Sequence, residues 1–481
     1  MDIRILIKVL GGLLVILGVL LCIPAVFSAL SEQTSVMVFL SIAVGSTLLG
    51  MLMWNSQRNY RSELNHRTGF AVVTFSWITA SFIGALPYFF TNTLPHFLDA
   101  FFESVSGFSG TGASVLTFLD GQDRAILLWR SMTQWIGGMG IIVFFIAILP
   151  ILGLGGVQLF KAEITGPQKD KITPRVRETA KRLWLLYVAF TGVLAVCLWL
   201  AGMSGYDALN HAFTTTSTGG FSTHNNGVAH FQSPAIDYIL ILFMALSSIN
   251  FSLHYRFLLL RDKAALFSTE LKWYLSILLI ASLVITFSIW QPHESLLSES
   301  FRESLFTVIC TASSTGFTNI DYLPWPVGVH FILILLMAMG GMSGSTAGGL
   351  KCIRIVASMK QLAKELKQVI HPNAVLTVKA DDHSIPANII SAIWGFIFLY
   401  FFIFALITLI LVYQDLDLIS ASTATFSALS NIGPAFGSLG PYDNYSELTA
   451  VSKTVLCGAM LLGRLEFYTV LVILTPEYWR K

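Results

Sequence analysis

Charge is what this chain has least of. Only 12% of its 481 residues are Asp, Glu, Lys or Arg, against about 25% in a soluble globular domain. With 54% hydrophobic residues and a mean hydropathy of +0.71, the composition excludes a water-soluble fold and defines an integral membrane protein. A formal net charge of +2 gives no reason to expect nucleic acid or an acidic ligand. Cysteine is sparse as well. Cys22, Cys197, Cys310, Cys352 and Cys457 are dispersed and form no CxxC pair, so neither a disulfide framework nor a zinc site is expected, and they read as small packing residues. Catalytic patterns are missing: there is no HExxH, no carboxylate pair within an apolar run and no nucleophile–His–acid set. The segment "GGMSGSTAGGLK" (340–351) lacks the GK[ST] ending of a phosphate loop. An enzyme and a covalent cofactor are therefore not expected. Chains of intramembrane carboxylates or histidines, which proton relays use, are also missing.

What is present is a series of long apolar runs. A helix needs about 20 apolar residues to cross the hydrocarbon core. Runs near 9–31, 34–57, 69–91, 131–157, 183–203, 235–253, 273–290, 327–350, 389–413 and 454–475 predict ten spans. The first is too long for a signal-peptide core of about 7–15 residues and reads as a retained helix. Connecting segments alternate in charge. Those at 57–68, 158–182, 254–272 and 351–388 carry Arg58, Lys161, Arg175, Arg182, Arg261, Lys360 and Lys367, whereas the alternate ones carry Asp99, Glu103, Asp120, Asp207, Glu299, Asp321, Asp415, Asp443 and Glu447. The positive-inside rule then places the basic loops and both termini in the cytoplasm.

Four polar breaks interrupt the external side: "SGTGAS", "TTTSTGGFSTHNNG", "TASSTGFTN" and "SNIGPAFG". Counted by the glycine after the hydroxyls, they centre on Gly112, Gly219, Gly316 and Gly433, spaced by 107, 97 and 117 residues. Each lies between an outgoing and a returning apolar run and follows a segment too short to span. Asp99, Asp207, Glu303 and Asp417 open these short segments, where a carboxylate caps a helix and complements its dipole. The pattern predicts an all-α membrane protein: an N-terminal helix pair, then four parallel helix–pore loop–helix repeats around a pseudo-four-fold pore. Irregular backbone survives at membrane depth only where protein encloses it or it lines a cavity. Half-helix C-termini and bare carbonyls facing one axis favour cations, because the carbonyls replace water of hydration.

The strings "SGTGASVL", "TTSTGGFST", "TASSTGFTNID", "LSNIGPAFG", "GGMSGSTAGGLK" and "GRLEFYTVLV" resemble the Trk/Ktr/HKT superfamily of potassium transporters, in its bacterial TrkH form, over nearly the whole chain. The resemblance implies a potassium-selective filter at Thr111, Gly112, Thr218, Gly219, Thr315, Gly316, Ile432 and Gly433, with K+ as permeant ion and no other metal. It implies a homodimer in the bacterial inner membrane and a cytoplasmic nucleotide-binding ring of the TrkA type. In plant relatives a serine at the first filter glycine goes with sodium preference, and this chain has glycine at all four positions. Ile432 and Pro434 depart from the other repeats. The domains expected are residues 1–68 (helix pair), 69–157 (repeat 1), 158–182 (linker), 183–272 (repeat 2), 273–388 (repeat 3) and 389–481 (repeat 4).

Aligning the returning helices on "WIGGMGIIV", "ALSSINFSL", "AMGGMSGST" and "AMLLGRLEF" puts Gly140, Asn250, Ser343 and Arg464 at one level. Glycine costs a helix roughly 1 kcal/mol against alanine, so Gly340, Gly341, Ser343, Gly344, Ser345, Thr346, Gly348 and Gly349 predict a loop within repeat 3. Arginine at membrane depth costs at least about 2.5–3.5 kcal/mol and faces a cavity or a partner. Together, the 340–349 loop and Arg464 predict a gate below the filter. The outer acids, Asp99, Glu103, Asp120, Asp321 and Asp443, are expected to cap and solvate, with electrostatic focusing of cations as the sharper alternative. His211 is expected to be a packed, hydrogen-bonded side chain. The expected function is gated potassium permeation for uptake; the competing one is a symporter coupled to protons or sodium.

Overall fold

The computed structural model describes residues 1–60, 66–143, 172–291, 296–381 and 383–480. Two long helices come first, α1 (Ile3–Leu30) and α2 (Val36–Ser56). They approach closely where Gly11 and Gly50 face each other's main chain, the small-residue contact that membrane helices favour. The remainder repeats one plan. A long helix is followed by a short one, a loop and a returning helix: α3 (His66–Phe90), α4 (Phe97–Ser109) and α5 (Arg124–Val143), then α6 (Ile172–Leu200), α7 (Gly205–Thr216) and α8 (Pro234–Ser248). After α9 (Phe251–Leu258) come α10 (Thr269–Ile289), α11 (Leu297–Ala312) and α12 (Val327–Met339). The last unit follows α13 (Cys352–Ile370) and comprises α14 (Ala387–Val412), α15 (Leu418–Ser430) and α16 (Ala450–Arg464). A two-stranded hairpin pairs Lys379 with Ser384 before α14.

Six helices among the described residues are long and apolar enough to cross a membrane, and two bent pairs bring the number to eight. The difference from ten falls at 131–157 and 327–350, and two further expected spans are bent. The expected span 131–157 runs past Val143 into residues outside those described. The linker 158–182 lies largely outside them too, and α6 already begins at Ile172. The expected span 327–350 stops at Met339, because Gly340 turns to φ +68°. The spans 235–253 and 454–475 are each broken. The chain bends by 100° between α8 and α9, where the Asn250 side chain accepts from Ser252 N at 2.8 Å and starts a new helix. It bends by 111° after Arg464, through positive φ at Glu466 and Phe467.

Side chains pack into two main cores. One joins α1 and α2 to the first and fourth units through Phe102, Trp129, Tyr400 and Phe467, and the other joins the second and third units through Met244, Tyr274, Phe306 and Met342. The short helices are buried among them and rich in hydroxyls. Thr215, Thr216 and Ser217 return their hydroxyls to the carbonyls four residues back, at 2.6, 2.9 and 2.8 Å. That pairs these three hydroxyls in an apolar setting. Of the four expected capping acids, only Asp417 accepts at a helix start, from Ile419 N and Ser420 N. Ser204 caps α7, Asp99 pairs with Lys453 at 2.6 Å, and Glu303 lies inside α11, whose start is instead reached by Glu299.

Candidate functional site

The loops after α4, α7, α11 and α15 share one backbone design. Thr111, Gly219, Thr315 and Ile432 each donate their N–H to the carbonyl five residues back, on Ser106, Thr214, Cys310 and Ser427, at 2.8–2.9 Å. The residue before each has positive φ (Gly110, Thr218, Ser314 and Asn431), and so does the glycine after it: Gly112, Gly220, Gly316 and Gly433. This corrects the expected register in the second unit by one residue. Gly220, not Gly219, matches the other three glycines, and Gly219, not Thr218, matches Thr111.

These loops close on each other in a ring. A Cβ placed on Gly433 falls 2.7 Å from the Thr111 carbonyl oxygen. One on Gly112 collides with the Gly219 carbonyl, one on Gly220 with that of Thr315, and one on Gly316 with that of Ile432. Every glycine therefore faces the carbonyl of a neighbouring unit, always in the same sense, until the ring returns to its start. Only a residue without Cβ can combine that positive φ with that approach. The four matched residues are at most 3% exposed where they carry side chains.

Buried polar groups hold the ring. Ser109 bonds Thr111 at 2.6 Å, and Ser313 bonds Thr315 at 2.7 Å. Asn431 donates to Thr111 Oγ1 and Met460 O, both at 2.9 Å, and Gln134 donates to Gly219 O at 2.6 Å. Tyr445 and Ser427 donate to the Gly433 carbonyl, each at 2.8 Å. Glu103 is not at the mouth, as its outer position in the sequence suggested. It is fully buried and pairs with Arg130 at 2.6 Å. Arg130 then donates to Ser222 O at 3.0 Å and lies 3.4 Å over the Phe221 ring, so this pair joins the first two loops.

Beneath the ring lies a second layer. Residues 340–351 leave the helix and form a loop with positive φ at Gly340, Gly344, Gly349 and Lys351. Thr346 Oγ1 donates to Thr216 O and Ser247 O at 3.2 Å, Gly348 N to Ser314 Oγ at 2.7 Å, and Gly348 packs on Ser430 O. Arg464 is 3% exposed. It donates to Thr346 O at 2.7 Å and Gly137 O at 3.3 Å, and its guanidinium lies beside Gly110. Loop and arginine together touch the ends of all four short helices. The expected alignment of the returning helices also shifts. Gly137 packs on Phe108 O and Gly463 on Leu429 O, and both carbonyls stand four residues before a ring glycine. Arg464 is thus level with Gly138, not Gly140.

In the loops that follow the ring, Asp120, Asp321 and Asp443 are exposed. His224 bonds Asp120 at 3.0 Å and lies 3.4 Å from Asp207. The nearby Asp207 carboxylate, and then the hydrogen-bonded Asp120, lift its pKa above the ordinary imidazole range against the pull of burial. His211 is buried, bonded to Asp207 O at 2.8 Å and Ser222 Oγ at 3.1 Å. Sequence reasoning missed Gln134, Asn431 and the Glu103–Arg130 pair. The one signal for them was polar or charged residues inside otherwise apolar runs. No cluster of His, Cys, Asp and Glu able to hold a metal occurs among the described residues.

The fold and this geometry define a class: a multi-pass helical membrane protein built around a ring of main-chain carbonyls. The comparisons make this specific. Residues 35–481 match the family model TrkH, described as a cation transport protein. The chain is 38% identical to the Trk system potassium uptake proteins TrkH of Salmonella typhimurium and Escherichia coli, over the whole of both chains. It superposes on the crystal structure of the potassium transporter TrkH from Vibrio parahaemolyticus with a TM-score of 0.91, at 35% identity and full coverage of both chains. The chain belongs to the TrkH family of cation transport proteins and is a transporter, not an enzyme.

Proposed function

We propose that this protein is a potassium-permeating subunit for uptake across the bacterial inner membrane. The observation that carries the reading is the ring in which four glycines each face a neighbouring carbonyl. In this reading the carbonyl oxygens of Thr111, Gly219, Thr315 and Ile432, with the peptide groups of Gly112, Gly220, Gly316 and Gly433, replace the hydration shell of K+. Thr218 is then a support residue preceding the ring. The short-helix C-termini below, each worth about half a negative charge, add to cation preference. Four units arranged in parallel, with ten crossings in all, surround this pathway, and both termini are cytoplasmic.

The 340–349 loop and Arg464 form the gate. They obstruct the space under the ring sterically and place a fixed positive charge where a cation must pass. A cytoplasmic nucleotide-binding ring of the TrkA type controls the gate, and the subunit works as a homodimer. Gated permeation fits better than coupling to protons or sodium. Of the buried carboxylates, Glu103 and Glu466 are each committed to an arginine, Arg130 and Arg354, and Glu270 to the main-chain N–H groups of Ser343 and Ile353, which leaves them unsuited to a relay. The test is uptake of K+ by an uptake-deficient strain and by liposomes, with and without a proton gradient. Uptake that persists and stays selective after the gradient is collapsed supports the reading; uptake that disappears with the gradient favours the symporter. Deletion of 340–349 is expected to raise flux in liposomes.

A further inference from the structure

The gate loop is held at its neck as well as at its tip. Leu350 N donates to Ala338 O, Lys351 N to Met339 O and Cys352 N to Gly341 O, at 3.0–3.1 Å, so the outgoing and returning arms lie side by side. Across this neck sits Glu270, in the first turn of α10 and only 4% exposed. A single oxygen, Oε1, accepts from Ser343 N at 2.9 Å and from Ile353 N at 3.1 Å. Ser343 is at the start of the loop. Ile353 is in the first turn of α13, where the helix has no carbonyl to offer its N–H. One carboxylate from a neighbouring helix thus joins both sides of the loop to a fixed point. Hydrogen bonds to a carboxylate are stronger than those to a neutral acceptor.

The element beyond the neck can exert force on this contact. α13 is amphipathic: Lys360, Lys364 and Lys367 are interleaved with the exposed Leu362, Leu366 and Val369. Its first turn is also held by Arg354, which pairs with Glu466 two residues after Arg464. Displacement of α13 would therefore pull Ile353 away from Glu270, while Ser343 would be left with half of its anchor.

We propose that Glu270 is the latch of the gate, a positioning residue that keeps loop 340–351 closed until α13 moves. This rests on the gate reading above and adds the residue that sets its resting state.

The experiment is Rb+ flux into liposomes holding the full chain without its cytoplasmic partner, comparing the parent, Glu270→Ala, Glu270→Asp and the 340–349 deletion. Glu270→Ala is expected to raise resting flux about tenfold, the factor that 1.4 kcal/mol gives. K+ over Na+ preference should be unchanged, because the ring is untouched, and Glu270→Asp should recover part of the closure. Parent-level flux from monodisperse Glu270→Ala, alongside raised flux from the deletion, overturns the latch and leaves the gate. Parent-level flux from both overturns the gate and the latch with it. Raised flux with lost ion preference also overturns the latch, since it indicates general damage. Should Glu270→Ala aggregate, the maleimide reactivity of Ser343→Cys in a Glu270→Gln background decides. Faster labelling, above that of the five native cysteines, supports the latch, and unchanged labelling overturns it.

Discussion

Two layers of irregular backbone lie one below the other in this protein, and they are built on opposite rules. The upper ring repeats. Four loops use the same five-residue closure, the same pair of positive φ values and the same glycine-to-carbonyl approach. The lower layer does not. One unit contributes a glycine-rich loop, another an arginine and a third the capped break at Asn250, and only the first and fourth share a packed glycine, Gly137 on Phe108 O and Gly463 on Leu429 O. Under the proposed function the ring is an ion shell, which needs equivalent ligands, so every unit supplies the same backbone. The lower layer is proposed as a removable obstruction, which needs a movable part and fixed parts, so the units differ.

The sharpest way to break the comparison is to remove a single member of the ring. Gly220→Ala is expected to lower K+ uptake by about 100-fold, because a clash with Thr315 O at positive φ costs roughly 3 kcal/mol. Gly219→Ala should be milder, since its Cβ meets the side chain of Gln134 and its φ is not positive. Equal losses in uptake assays would contradict the one-residue shift of register in the second unit. Glu103→Ala, which strands buried Arg130, should cost about 3–5 kcal/mol of stability, read as a fall in Tm. An unchanged Tm would mean that the pair does not hold the first two loops together.

In the lower layer, Arg464→Ala should increase flux about tenfold, the equivalent of 1.4 kcal/mol, with ion preference retained. Reduced folded yield with normal flux would make Arg464 a structural residue. The smallest effect expected is in the loop after the second ring segment. His224 has a raised pKa, so its tether to Asp207 and Asp120 is complete below about pH 6.5 and is lost as pH rises through the raised value. Hydrogen exchange at 224–231 should accelerate over that range, and a flat profile would mean that no such tether holds the outer loop.

The sequence made the repeated layer legible and much of the unique layer too, but for different reasons. Hydroxyl–glycine strings in apolar surroundings were visible because such residues are costly there. Arg464 and the glycines of 340–349 were visible on the same ground. The one-residue slip at "STGG" came from two adjacent glycines, between which the short hydrogen bond of Gly219 N to Thr214 O, the positive φ of Gly220 and its approach to Thr315 O decide. Glu103 looked like an outer acid because its partner Arg130 lies 27 residues away on the returning helix, a separation with no local periodicity. The break at Ile249 was hidden because "SSIN" contains neither glycine nor proline, and Asn250 acts through a cap that only the folded chain displays.

The central claim is that a cation sits inside the ring. Anomalous diffraction or high-resolution microscopy of the protein in Rb+ or Tl+ tests it most directly. The account predicts density on the axis, ringed by the carbonyl oxygens of Thr111, Gly219, Thr315 and Ile432; an empty ring, with bound ions found only elsewhere, would contradict it.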